Sequence, residues 1–239
     1  MFQREQHRKV LALLGAFEAA LLSRCNVLFG GGTRIALELD EYRDSHDIDF
    51  LCSDGEGYAD LRFAASSRGY DALFKPESRK RFALPREMRI DQYGIRFPVE
   101  MEGSAIRVEL IREARIDLEP GVRLGWCPVD CLSIIDCYTE KLLANSDRWA
   151  DRQVLSRDLI DLSALRQRIG PIPEAAWEKV EGAYRAAGRA DLLKALLVFL
   201  QDGNHRQRCF QGLNIDDPEQ ILAGASQLVM DLEAPSQAS

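Results

Sequence analysis

The stretch AIRVELI at 105–111 alternates cleanly: Ile106, Val108 and Leu110 fall on one face, and Arg107, Glu109 and Ile111 on the other. That is the pattern of a half-buried strand. Earlier, residues 3–23 space Val10, Leu13, Leu14, Phe17, Ala20 and Leu21 as a helix does, so a helix leads. NVLFGGG reads as a short strand, Asn26–Phe29, running into a turn; TRIALELDEY then reads as a helix, DIDFLC as a second strand and GYADLRFAASSRGY as a second helix. From 82 to 111 the pattern changes to strands. After PGVRLGWCP it is helical to the end: DCLSIIDCYTEKLLAN with Asp130 as N-cap, SRDLIDLSALRQRIG starting behind Ser156 and stopping at Gly170 before Pro171, then PEAAWEKVEGAYRAA, RADLLKALLVFLQD and DPEQILAGASQLVMDL. The tail EAPSQAS is expected to fray. Strands interleaved with helices and then helices alone imply an α+β or α/β domain over 1–125, a mixed sheet carrying helices, and an all-helical domain over 126–239.

Bulk properties narrow the setting. In 239 residues, 46% are hydrophobic and the formal charge is −7, which argues against nucleic-acid binding by the whole surface but leaves room for a local basic patch. The start MFQREQHRKVLALLGAF does not read as a secretory signal, and the longest apolar run, LLKALLVFL, is too short for a membrane span. The cytoplasm is therefore the expected location, with no membrane association. Cys25, Cys52, Cys127, Cys131, Cys137 and Cys209 form no CxxC pair and have no histidine placed to complete a zinc site, so they are expected as buried or free thiols.

The chemistry concentrates in FGGGTRIALELDEYRDSHDIDF at 29–50. Asp47 and Asp49 lie at i and i+2 of a strand, so they share a face and their Cβ atoms stand roughly 7 Å apart. Like charges held this close call for cations, and phosphoryl and nucleotidyl transfer use such a pair to hold divalent ions. Ile48 and Phe50 would face the core. Upstream, a glycine turn opening a helix offers unpaired N–H groups and a positive dipole end, a cradle for a polyphosphate. Gly31 and Gly32 allow close approach, and the Thr33 hydroxyl can add a bond. Taken singly, the glycines also suit a plain tight turn and the acids a solvated edge.

Gly32-Thr33, a gap, and then Asp47-Ile48-Asp49 resemble the motif of the DNA polymerase β-type nucleotidyltransferase superfamily. More narrowly, GGTRIALELDEYRDSHDIDF is similar to the AbiEii/AbiGii-toxin nucleotidyltransferases, with Arg43 and Ser45 at matching places. Arg34 and Ile35 depart from the small or apolar residues usual there. EKLLANSDRWADRQVLSRDLIDL resembles that family's second block through Lys141, Arg157, Asp158 and Asp161. The resemblance implies that Lys141 contacts the nucleotide phosphates, that Asp158 belongs to the active site, and that the helical domain completes the active-site cleft. It also implies a nucleotidyltransferase fold, an NTP substrate, two Mg²⁺ ions, a tRNA acceptor and a cognate antitoxin.

Glu109, on the polar face of AIRVELI, is the choice for a third metal-binding carboxylate, with Asp91 in reserve; a surface Glu paired with Arg107 or Arg112 is the competing reading. The catalytic set is thus Asp47, Asp49, Glu109, Lys141 and Asp158, with Asp161 a further candidate. The donor site is Gly31, Gly32, Thr33, Arg34 and Lys141. KPESRKRFALPREMR is the most basic stretch, and its Arg79, Lys80 and Arg81 are assigned to an RNA backbone, against the alternative of a solvated loop. His7, His46 and His205 are scattered, and His46 is expected to point to solvent. The rivals to nucleotide transfer onto tRNA are the same chemistry on a small molecule or protein, and a nucleotide-binding module without turnover.

Overall fold

A computed structural model of the chain describes residues 2–234 and divides them into two compact units. The first holds residues up to Leu37 together with Ser45–Ile134; the second holds Glu38–Asp44 and the chain from Ile135 on. The sequence placed the division at 125/126. The structure carries it to Ile134 because the intervening loop is pinned to the first unit: Cys131 bridges both Phe29 and Val122, and Leu132 N–H donates to the Phe29 carbonyl at 2.9 Å. The expected fraying of the tail concerns residues that, from 235 on, lie outside those described.

In the first unit, α1 (Glu5–Leu14) and α2 (Ala19–Arg24) replace the single leading helix that the spacing predicts. The break has a tertiary cause. Glu18 N–H donates to the Leu73 carbonyl and Lys75 N–H to the Ala16 carbonyl, so the chain turns at 15–16 and Phe17 bridges Phe74 and is buried against Phe50 and Phe74. β1 (Leu28–Gly30) passes directly into α3 (Gly31–Glu38), and β2 (Ile48–Cys52) follows. α4 (Gly55–Arg68) is capped by Asp54, whose carboxylate accepts from Glu56 and Gly57 N–H. The short α5 (Tyr70–Leu73) and a 3-10 turn over Pro76–Arg81 lead to β3 (Arg89–Ile90), β4 (Gly94–Met101) and β5 (Ser104–Arg112).

The strands form one mixed sheet in the order β1-β2-β5-β4-β3, with β2 and β5 parallel and the other pairs antiparallel. As the alternation requires, Ile106, Val108 and Leu110 are buried, together with Ile48 and Phe50 of β2. Their opposite face carries Asp49, Arg107 and Glu109.

The second unit comprises α6 (Ile134–Arg148), α7 (Arg157–Arg168), α8 (Glu174–Tyr184), α9 (Ala187–Gln201), α10 (Gly203–Gly212) and α11 (Pro218–Glu233). Asp130 is not the cap of α6. Its side chain pairs with Arg123 and its carbonyl accepts from Phe29 N–H, so the helix starts later. Ser156 does precede α7 but in a left-handed conformation, with its hydroxyl 2.9 Å from His205 Nε2 instead of capping the helix. α10 is an element the apolar spacing did not single out; Asp202 caps it by accepting from His205 N–H. Among the described residues the six cysteines form no disulfide and are buried, and no helix is long and apolar enough to cross a membrane.

α7 and α11 pack so closely that a Cβ on Gly224 would overlap the Ser163 carbonyl, a backbone group that cannot swing aside. Gly224→Ala is therefore expected to destabilise the helical unit by about 1–3 kcal/mol, the usual cost of overpacking. Urea unfolding followed by circular dichroism would show a lower midpoint with an unchanged slope.

Candidate functional site

Gly31 turns the chain from β1 into α3 with φ at +68°, a region that favours glycine. A Cβ there would collide with the Asp49 carboxylate. The turn and the second acid of Asp-Ile-Asp are thus in direct contact, and a bare backbone at 31 is what admits the carboxylate. Thr33 is buried; its hydroxyl donates to the Asp47 carbonyl at 2.5 Å and lies 2.7 Å from Ser45 Oγ. Ser45 N–H in turn donates to Nε2 of the buried His7. The Thr33 hydroxyl therefore fixes the approach to β2. Arg34, expected to take part in nucleotide binding, is 1% exposed and sits inside the unit. His46 is exposed, as expected.

Asp49 and Glu109 are direct partners in the parallel β2–β5 register, which brings the third acid beside the pair. Asp91 instead closes the turn before β4, where Tyr93 and Gly94 N–H groups bond its carboxylate and hold its pKa below the ordinary value. Arg107 lies on the same face as Glu109. Its Nη2 is 2.7 Å from Asp47 Oδ2, and its Nε is 4.0 Å from Glu109 Oε2. Arg96, opposite Glu109 on β4, reaches Glu109 Oε1 at 3.6 Å. Partial burial works against the Arg107 charge, but Asp47, Glu109 and Asp49 outweigh it and raise the guanidinium's pKa.

All three donors are carboxylate oxygens, the hard set that suits Mg²⁺. Among the described residues no three acids or other ligating groups are drawn together closely enough to form a metal cluster as they stand. The donor chemistry fits a divalent ion, while the side-chain arrangement puts the Arg107 guanidinium on Asp47.

Lys141, Asp158 and Asp161 meet in the helical unit, all nearly or wholly buried. The Lys141 ammonium lies 3.0 Å from Asp158 and 2.8 Å from Asp161. Arg148 grips Asp158 through two bonds of 2.6 and 2.9 Å, and Arg43 grips Asp161 through two of the same lengths. Tyr42 donates its hydroxyl to Asp161. Burial alone would raise both carboxylate pKa values. The cations more than reverse it, Lys141 and Arg148 for Asp158, and Arg43 and Lys141 for Asp161.

Within KPESRKRFALPREMR, Arg79 stacks on the Tyr70 and Phe82 rings and Lys75 donates to the Gly15 carbonyl. Lys80, Arg81, Arg86 and Arg89 are exposed.

A family model described as "Nucleotidyl transferase AbiEii toxin, Type IV TA system" matches residues 12–229. The chain belongs to the AbiEii nucleotidyltransferase toxin family. Two solved structures share the AbiEii chain's fold at 16% identity. One is a candidate nucleotidyltransferase from H. pylori, covering 97% of this chain and 98% of its own with a TM-score of 0.57. The other is JHP933 from Helicobacter pylori, covering 98% and 95% with a TM-score of 0.56. No curated protein matches the chain. Membership in AbiEii agrees with the reading of both sequence blocks. What sequence reading underweighted is the cations: Arg107 entered only as a bland partner for Glu109, although its i, i+2 spacing puts it on that face, and Arg96 and Arg148 were not singled out.

Because Lys141 is enclosed by two carboxylates, Lys141→Ala is expected to cost about 3–5 kcal/mol, the scale for breaking a buried pair. Depressed carboxylate pKa values contribute stability that is present above the unfolded value of about 3.9 and lost as pH falls below it. Wild-type stability should drop on acidification through that range, and more steeply than that of Lys141→Ala. Denaturant melts at several pH values would measure both.

Proposed function

We propose that this AbiEii-family chain transfers a nucleoside monophosphate from an NTP to a hydroxyl of tRNA, and acts as the toxin of its toxin–antitoxin pair. The observation that carries the reading is the contact between the Gly31 turn and the Asp49 carboxylate, with Glu109 in register beside it. A glycine turn that opens a helix and could cradle phosphate therefore lies beside Asp49 and Glu109, the kind of pairing nucleotidyl transfer uses.

In this reading the N–H groups opening α3 hold the triphosphate. Asp47, Asp49 and Glu109 would hold Mg²⁺, which when bound neutralises charge developing on the phosphate oxygens. The acceptor hydroxyl oxygen bonds to the α-phosphorus, and the bond from that phosphorus to the bridging oxygen breaks. Pyrophosphate leaves, and Glu109 takes the hydroxyl proton. The exposed Lys80 and Arg81 supply an electrostatic track for the RNA backbone.

Asp47→Asn and Asp49→Asn are expected to fold, since neither carboxylate is fully buried, and to abolish transfer. Asp47→Asn should change stability by no more than about 1 kcal/mol, the range of exposed ion pairs. Incubation with total tRNA and each labelled NTP should label tRNA, with one nucleotide preferred. Lys80→Ala with Arg81→Ala should weaken tRNA binding and flatten its salt dependence while sparing NTP binding; Arg79 is left in place because it packs on two rings. Near wild-type transfer by either Asp variant overturns the assignment, and label entering only protein or a small molecule transfers the acceptor role to those classes.

A further inference from the structure

We infer that Arg107 is a built-in counter-cation of the acid cluster, competing with a divalent ion for Asp47 and releasing that carboxylate when the ion binds. The inference rests on the proposed metal site and adds a residue that controls how the site is filled.

The geometry is specific to one side chain. Arg107 comes from β5, two residues before Glu109, so both rise from the same face of the sheet. Asp49 and Glu109 are strand-paired, and Asp47 precedes the strand that carries Asp49. Three carboxylates in this space repel one another unless positive charge is present. Arg107 supplies it from within the chain: 2.7 Å from Asp47, with its Nε 4.0 Å from Glu109. Arg96 supplies the rest from β4, 3.6 Å from Glu109 on the opposite carboxylate oxygen.

The same bond that settles the cluster also engages one of its donor oxygens. A divalent ion bound at Asp47 would stand a few ångströms from the guanidinium, and the two cations repel while drawing on the same carboxylate charge, so filling the site weakens the Arg107–Asp47 bond. Arg107 is about half exposed, with 52% of its side chain in contact with solvent, so it has room to swing away without leaving a cavity. Arg96 is less exposed and is shared between Glu109 and Asp91, which makes Arg107 the mobile member of the pair. The site thus exchanges one cation for another. Its folding does not depend on metal, and its ion affinity is set below what three free carboxylates would give.

The test uses the full-length chain and Mn²⁺ alone, titrated by calorimetry at low salt. Arg107→Gln should bind Mn²⁺ about three- to fivefold more tightly than wild type, the scale of an exposed ion pair. It should also melt at a lower temperature in chelator and gain more from saturating Mn²⁺. Independently, the Arg107 Nε–H resonance in wild type, assigned by its loss in Arg107→Lys, should shift as Mn²⁺'s diamagnetic counterpart Mg²⁺ is added. Equal or weaker ion binding by Arg107→Gln, or an Nε–H signal indifferent to Mg²⁺, overturns the inference and leaves the proposed function standing. Absence of divalent-ion binding by wild type even with NTP present overturns the metal reading itself.

Discussion

Asp161 has no contact with solvent and keeps its charge because Arg43, Lys141 and the Tyr42 hydroxyl surround it. A buried carboxylate missing a partner costs several kcal/mol, so the group is specified as a whole. Asp158, one helical turn earlier, shares Lys141 and adds Arg148. This cluster binds α6 to α7 and draws the segment Glu38–Asp44 into the helical unit. Around the Arg43 bonds, Asp44 N–H donates to the Leu213 carbonyl, Asp216 N–H donates to the Tyr42 carbonyl, and Arg168 pairs with Asp40. Asp40, Tyr42, Arg43 and Asp44, which lie in sequence between the glycine helix and the acid strand, thus bond within the helical unit.

The same rule of charge neutralisation shapes the sheet face, with a different balance. Asp47, Glu109 and Arg107 each keep between about a fifth and a half of their side chains in solvent. Screening makes such pairs weak and exchangeable. A buried cluster is suited to holding structure and a part-exposed one to trading partners. The two sets of acids, alike in sequence, are therefore fitted to different work by burial.

Much of this was legible in the chain. Strict alternation in AIRVELI gave β5, its buried face and the placing of Glu109 on the opposite face; the Gly-Gly-Thr turn and Asp-Ile-Asp gave the candidate site. Local pattern failed where a distant segment decided the outcome. The leading helix breaks at 15–18 because residues 73–75 pair with it across the chain. Asp130 looked like a cap and is instead occupied by Arg123 and Phe29. Burial of Lys141 was hidden because helical spacing shows which face a residue takes, and the depth of that face depends on carboxylates seventeen and twenty residues away on another helix.

The motif spacing itself has a physical account in this division. Arg43 and Asp44 belong to the helical unit and Ser45 to the sheet unit, so the chain passes from one to the other at the Asp44–Ser45 bond. Arg43 is fixed by two bonds to Asp161, and Ser45 by the Thr33 hydroxyl and His7. Within the sheet unit, inserting or deleting a residue between Ser45 and Ile48 would break the Ser45 anchor or shift β2 by one position. A one-residue slip in a strand sends every side chain to the opposite face, and Asp49 would leave Gly31 for the core. The spacing from Ser45 to Asp49 is therefore set by strand register within the sheet unit, while Arg43 answers to the charge balance of the helical unit.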